Sequence, residues 1–400
     1  MTARAIVLLG GIAATCALGT ARADDQALPH HPSFTTRAIT PLAIEGLTGD
    51  RAGNLYTTGR EVSPTPCPVW RIDRAGSLVT VGLIPNAAGC NPARITFDAA
   101  GDLYVADGAG TGTVWRVTPS AARPPTAVVF ATGVPGTNGL AFDRHGNLWT
   151  GDGGTSQGRV WRIDPDGGTC EAATGAFVGC VEAFRIQPMR NGSDLGGKLA
   201  APGVGRQNNS VPANNAQNIV ANGIAFDREG DMFVADTARG AIWKVELHGN
   251  GSVKSATGCD ATFTANTLCL DSVAVAHPFL EGVDGIALDR EGNIWASVNE
   301  RNAIVVVTRQ RVVELFRNPA NAAGLRNAAD GNASNHILEF PTSPFLAGHA
   351  FCTTSSDGNR RDNSPNAGGE INAGGPVGAR GKVSCLDQPL RIPGLPLPVD

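Results

Sequence analysis

The chain has no Cys-x-x-Cys pair, no block of like charge and no apolar run long enough to cross a bilayer. The first absence weakens a structural zinc site, whose thiolate ligands usually come in such closely spaced pairs. The second removes the electrostatic footprint of a nucleic-acid partner. The third is a matter of length: the run from Ala5 to Leu18 falls short of the roughly 20 residues a spanning helix needs. Histidine is also scarce, with seven in 400 residues.

What is present begins with Arg4, that apolar run, and Ala21-Arg22-Ala23 before Asp24 and Asp25, the three parts of a cleavable secretory signal over residues 1–23. Cys16 as a lipoprotein anchor is disfavoured by Thr15 before it. An exported chain is expected, periplasmic or extracellular, monomeric by default. Without the leader, 377 residues remain, with 30 basic and 36 acidic side chains and eight cysteines. An even cysteine count in an exported chain favours disulfides. Eight cysteines allow 105 connectivities, and neighbour pairing, the expectation adopted, would place Cys170 with Cys180 and Cys259 with Cys269, two ten-residue spacings that suit small local loops.

A repeat organises the rest. Five fifteen-residue phrases align without gaps: EGLTGDRAGNLYTTG from Glu45, ARITFDAAGDLYVAD from Ala93, NGLAFDRHGNLWTGD from Asn138, NGIAFDREGDMFVAD from Asn222 and DGIALDREGNIWASV from Asp284. Each reads as strand, tight turn and strand, with the Asp-x-x-Gly core supplying a side-chain cap and a residue at ease with positive φ. A third strand follows in most units, as VWRI from Val69 or IWKV from Ile242. Phrase starts lie 48, 45, 84 and 62 residues apart. A period of this order with recurring aromatics predicts an all-β fold, a six-bladed β-propeller with four-stranded antiparallel blades spanning 24–400. The sixth blade is irregular, around Phe340 to Gly358, and the two terminal segments are left to complete the ring, one of them lending an outer strand. The 84-residue gap predicts an insertion at about 168–217. An open β-solenoid and a seven-bladed ring are the alternatives.

The first position of each phrase should face the channel. Glu45, Asn138, Asn222 and Asp284 stand there, with Ala93 breaking the pattern in the second blade. Carboxylates and amide carbonyls suit a hard cation such as Ca²⁺. Taken singly, Asn138-Gly139, Asn222-Gly223 and Asp284-Gly285 are turn formers, and Glu45 a solvated side chain. Their shared register is what points to a common metal site.

These residues carry a resemblance. From about Leu42 to Asp357 the chain resembles the senescence marker protein, gluconolactonase and luciferin-regenerating enzyme family of six-bladed propellers. In that family a Glu in the first blade, an Asn in the third, an Asn-Gly in the fourth and an Asp-Gly in the fifth hold a divalent metal, and Glu45, Asn138, Asn222 and Asp284 match in order. The resemblance implies a lactone or ester hydrolase acting on a small molecule. Its cofactor would be one divalent ion, Ca²⁺ first, with Zn²⁺, Mn²⁺ and Mg²⁺ as alternatives. Asp284 would be base or nucleophile, and Glu45, paired with it, chiefly a ligand. Gluconolactonase-type members carry Arg and Asp where Gly136 and Gly139 stand, which argues against sugar lactones. His349, in the sixth blade, is a candidate for the channel mouth. A non-catalytic binding propeller is the rival from another class, and a streptogramin-lyase-like enzyme would want a His and Glu pair at the mouth. Three apparent motifs are set aside: Gly154 to Gly158 lacks the helix a nucleophile elbow needs, Gly192 to Lys198 lacks the Ser or Thr of a phosphate loop, and Asp357 to Arg361 puts Arg361 at a calcium-ligand position.

Overall fold

The repeated phrase works through one device used five times. Its Asp accepts from the backbone N–H four residues on and, in four phrases, from the polar edge of the aromatic six residues on. Asp50 takes Asn54 N at 2.9 Å and Tyr56 Oη at 2.9 Å, and Asp98 takes Asp102 N at 2.9 Å and Tyr104 Oη at 3.2 Å. Asp143 and Asp289 do the same with Trp149 and Trp295, at 2.9 and 3.1 Å. In the fourth phrase the aromatic is Phe233, which has no donor, so Asp227 takes Asp231 N at 2.8 Å and has no aromatic partner, with Lys244 Nζ 4.0 Å away. The Gly of each phrase sits at positive φ, from 80° at Gly146 and Gly292 to 93° at Gly101, which a side chain disfavours.

The same phrase also joins neighbours. Its aromatic packs on the Phe that precedes Asp in the next phrase: Tyr56 on Phe97 with centroids 4.9 Å apart, Tyr104 on Phe142 at 5.0 Å and Trp149 on Phe226 at 6.2 Å. Trp295 meets Phe351 at 5.2 Å. One sequence unit therefore builds its own hairpin and half of the next seam, and repetition propagates it round a ring.

The computed structural model describes residues 28–60, 65–85, 89–170, 177–187, 219–317, 337–338, 340–356 and 381–396. The expected leader, residues 1–23, lies outside them, as do most of the expected insertion and the segments 192–198 and 357–361. Six sheets form, with no α-helix among the described residues. The first blade comprises Thr48–Gly49, Leu55–Thr58, Cys67–Ile72 and Leu78–Ile84. The second runs from Pro92–Phe97 through Leu103–Asp107 and Thr113–Val117 to Val128–Thr132. The third comprises Leu140–Phe142, Leu148–Gly151, Arg159–Ile163 and Cys180–Arg185. The fourth starts at Ile224–Phe226 and ends at Val273–Ala276, and the fifth starts at Val283–Leu288 and ends at Val312–Arg317. The sixth joins Pro341–Ala347, Ala350–Ser355 and Lys382–Leu386 to the early strand Phe34–Ile39, which closes the ring as its outer edge.

Two details differ from expectation. Cys180–Arg185, within the span assigned to an insertion, is the outer strand of the third blade. The second blade gains a short fifth strand, Gly168–Thr169, running parallel to Val128–Thr132, because Cys170 N donates to Thr132 O and draws the segment across the seam. The four disulfides join neighbouring cysteines, Cys67–Cys90, Cys170–Cys180, Cys259–Cys269 and Cys352–Cys385. No helix among the described residues is long and apolar enough to cross a membrane.

The Asp device is open to test where it is most buried. Asp289, 1% exposed, accepts from Glu291 N, Asn293 N, Asn293 Nδ2 and Trp295 Nε1 at 2.9 to 3.1 Å. Asp289→Ala strands the buried indole N–H and uncaps the turn, so urea denaturation should show a loss of about 2–4 kcal/mol. Asp289→Asn, which keeps one acceptor, should recover part of it.

Candidate functional site

Each inner strand starts at one end of the channel and runs to its phrase turn at the other. The residue at the strand's head is therefore set at a common rim. Glu45 precedes Thr48–Gly49, Asn138 precedes Leu140–Phe142, Asn222 precedes Ile224–Phe226, and Asp284 is the second residue of Val283–Leu288.

At this rim the blades nearly touch, and the glycines explain how. A Cβ on Gly46 would strike Ala93 O, one on Gly139 would strike Asn222 O, and one on Gly223 would lie 2.5 Å from Asp284 O. None of Gly46, Gly139, Gly223 and Gly285 is at positive φ. The Asn-Gly and Asp-Gly pairs are thus not turns. Their glycines let one blade's backbone lie against the next, which brings the side chains before them together.

Asn138 Nδ2 lies 3.5 Å from Glu45 Oε1. Glu45 is pinned through its backbone, whose carbonyl accepts from Thr342 Oγ1 at 2.8 Å and Thr354 Oγ1 at 2.5 Å across the seam that closes the ring. Asn222, 1% exposed, donates from Nδ2 to Thr237 Oγ1 at 2.9 Å, and that hydroxyl spends its proton on Val283 O at 2.6 Å. This relay fixes the amide's orientation and leaves Asn222 Oδ1 buried without a hydrogen-bond partner. Asp284 accepts from Asn299 Nδ2 at 3.0 Å. Burial first and the Glu45 carboxylate second push Asp284 well above the ordinary carboxylate range, against the opposing pull of Asn299, Arg94 and Asn222.

His349 is not brought to this rim. It lies in the hairpin beyond Ala347, at the far end of the seven-residue strand that starts beside Thr342, some ~20 Å along. Its Nδ1 is 2.6 Å from Leu390 O, on the segment that leads to the opposite mouth. The irregular sixth blade hid where its turn falls.

A second layer was missed. In the first, third, fourth and fifth phrases the residue directly after the fifteenth returns to the rim and touches the residue that opened the phrase. Arg60 ion-pairs with Glu45, Thr237 binds Asn222 and Asn299 binds Asp284. Gly153 packs under Asn138, where a Cβ would meet Asn138 Cβ at 3.2 Å. Extending the phrase by one residue would have found all four.

The second blade supplies the other missed residue. Where the other phrases have Gly, it has Arg94, 8% exposed. Its Nη2 donates to Ile286 O at 3.0 Å, on the blade opposite, so the side chain bars the channel just beneath the rim. Desolvation lowers its pKa to about 10 against the opposing charges of Asp284 and Glu45, which leaves it a cation at neutral pH. Below it the channel is apolar, lined by Leu47, Ile95, Leu140, Ile224 and Ile286 and closed by Leu395.

The rim offers two carboxylates and two amide oxygens. Among the described residues no group of three or more His, Cys, Asp or Glu could hold a metal, so a cation here would depend on Asn138 and Asn222. The unpaired Asn222 Oδ1 fits that demand, since a buried carbonyl oxygen without a donor costs about 1–3 kcal/mol unless something binds it. The donor set is that of a hard ion.

Residues 52–183 match a repeat of unknown function, and residues 168–323 match the SMP-30/Gluconolactonase/LRE-like region. No curated protein matches the sequence. Among solved structures, luciferin-regenerating enzyme superposes with a TM-score of 0.52 at 14% identity, over 91% of this chain and 97% of that one. A candidate gluconolactonase gives 0.51 at 14% identity, over 94% and 98%. The PQQ-bound aldose sugar dehydrogenase of Streptomyces coelicolor gives 0.51 at 15% identity, over 90% and 100%. Identities this low show a shared fold, and the fold is shared by different chemistries. The chain is a six-bladed β-propeller whose residues 168–323 match the SMP-30/Gluconolactonase/LRE-like region.

Proposed function

We propose that the protein is an exported hydrolase that opens a lactone or ester of a small molecule, with its chemistry at the Glu45, Asn138, Asn222 and Asp284 rim. One observation carries this reading: four blades deliver two carboxylates and two amides to one channel end, with Asn222 Oδ1 buried and unpaired. Glu45, Asn138, Asn222 and Asp284 would hold a divalent ion, Ca²⁺ first. A cation bound there supplies Lewis acidity toward a carbonyl oxygen. Asp284 acts as base or nucleophile: its carboxylate takes the proton of a water that adds to the carbonyl carbon, or itself adds to that carbon and expels the lactone or ester oxygen, giving an acyl adduct that water then cleaves. Asn299 and Asn222 hold the carboxylate in place, and the barred channel beneath Arg94 keeps the substrate at the rim. Four disulfides suit an oxidising compartment outside the cytoplasm.

The test measures bound metal by emission spectrometry, and hydrolysis of a panel of lactones and aryl esters with and without chelator. About one metal per chain and chelator-sensitive turnover, lost in Asp284→Ala, are expected. Absence of bound metal would overturn the ligand assignment. Metal without turnover of any panel member would favour a binding propeller.

A further inference from the structure

The rim holds more positive charge than a simple carboxylate cup. Glu45 is ion-paired with Arg60, and the Arg94 guanidinium, packed on Gly285 next to Asp284, acts through its charge on both Glu45 and Asp284. Two carboxylates thus face two arginines before any ion arrives. Buried carboxylates without counter-charge are costly, so a fixed cation keeps the pair assembled.

Arg94 is built into this position. It stands at a phrase position that is glycine in the other four phrases. The glycine opposite, Gly285, makes its room, since a Cβ there would collide with Arg94 Nη1. Nη2 is anchored on Ile286 O at 3.0 Å, while Nη1 is buried with no hydrogen-bond partner. A guanidinium chosen only as a strut would have its donors satisfied.

We propose that Arg94 is a resident counter-cation of the rim, which holds Glu45 and Asp284 together without metal and keeps divalent-ion binding weak and exchangeable. The metal half of this rests on the ligand assignment above; the counter-charge half does not. A unit charge beneath the donors repels a divalent ion strongly enough, even at an effective dielectric near 20, to weaken binding by at least about tenfold.

The experiment compares wild type, Arg94→Met, Arg94→Lys and Arg94→Met/Glu45→Gln. Calcium binding is read by titration calorimetry, and melting at pH 8 is read in chelator and in excess Ca²⁺. Arg94→Met should bind Ca²⁺ at least about tenfold more tightly than wild type. It should melt lower in chelator and regain more on adding Ca²⁺, while Arg94→Lys stays near wild type. Adding Glu45→Gln should restore much of the chelator melting temperature and cancel the gain in affinity. Equal or weaker Ca²⁺ binding by folded Arg94→Met overturns the affinity half. If no variant binds Ca²⁺ yet Glu45→Gln rescues Arg94→Met in chelator, the counter-charge half stands and the ligand assignment falls. If Arg94→Met is unfolded and Glu45→Gln does not rescue it, Arg94 is a strut and the proposal is overturned.

Discussion

Asp284→Asn is expected to make the protein more stable and nearly inactive. The carboxyl is 6% exposed, and burial together with the nearby Glu45 carboxylate raises its pKa well above the usual value. An acid whose pKa is higher folded than unfolded favours the folded state in its protonated form. That stability is complete below the unfolded value near 3.9, and it is lost as pH climbs through the raised folded value. At pH 8 the wild type therefore carries the cost of a buried charge, which the amide removes while keeping an acceptor for Asn299 Nδ2. Scanning calorimetry in chelator should show Asp284→Asn melting at least ~2 °C above wild type at pH 8, with the gap closing as pH falls toward 4. Hydrolysis should fall by about 10³-fold, the scale of losing a base or nucleophile. A variant that melts lower than wild type at pH 8 would mean that Arg94 and Asn299 outweigh burial, and the carboxylate would then be a structural anion.

The ring was legible because one phrase encodes both hairpin and seam. Asp143 capping Asn147 and holding Trp149, and Trp149 lying on Phe226, are interactions at fixed offsets, so repetition in sequence translates directly into repetition in space. Glu45, Asn138, Asn222 and Asp284 were legible for the same reason, as one register of that repeat. Arg94 was not, although its signal is plain once sought. The second phrase breaks the glycine rule as well as the donor rule, and Arg94 stands directly beside the Ala93 that breaks the latter. Arg60, Thr237 and Asn299 fall one residue beyond the phrase, where neighbouring units no longer look alike because each second-layer residue answers a different first-layer partner. His349 could not be assigned to one end of the channel from sequence, because the sixth blade lacks the Asp-x-x-Gly marker that shows which end a residue occupies.

Gly223→Ala should cost more stability than a glycine-to-alanine change at a phrase turn, and should abolish activity with it. Gly223 N donates to Asp284 O at 3.0 Å, and Gly223 O accepts from Ala235 N at 2.8 Å, so the residue is held on both sides. An added Cβ would lie 2.5 Å from Asp284 O, 2.8 Å from Gly285 Cα and 2.9 Å from Ile286 N. All three are backbone atoms, so no rotamer change makes room. The fourth and fifth blades must part, breaking the Gly223–Asp284 hydrogen bond and separating Asn222 from Asp284. Overpacking of about 1–3 kcal/mol plus the lost bond predicts roughly 3 kcal/mol or more by urea denaturation. Gly292→Ala is the matched comparison. Gly292 has φ of 80° with nothing within 4 Å of a Cβ, so alanine there carries only the left-handed backbone penalty of about 1–2 kcal/mol and should leave turnover intact. Were the Asn-Gly pairs turns, Gly223 and Gly292 would both be limited by backbone conformation and the two variants would lose similar stability. Because Gly223 is limited by the approach of a neighbouring blade, the losses should differ, and only Gly223→Ala should take the rim's chemistry with it.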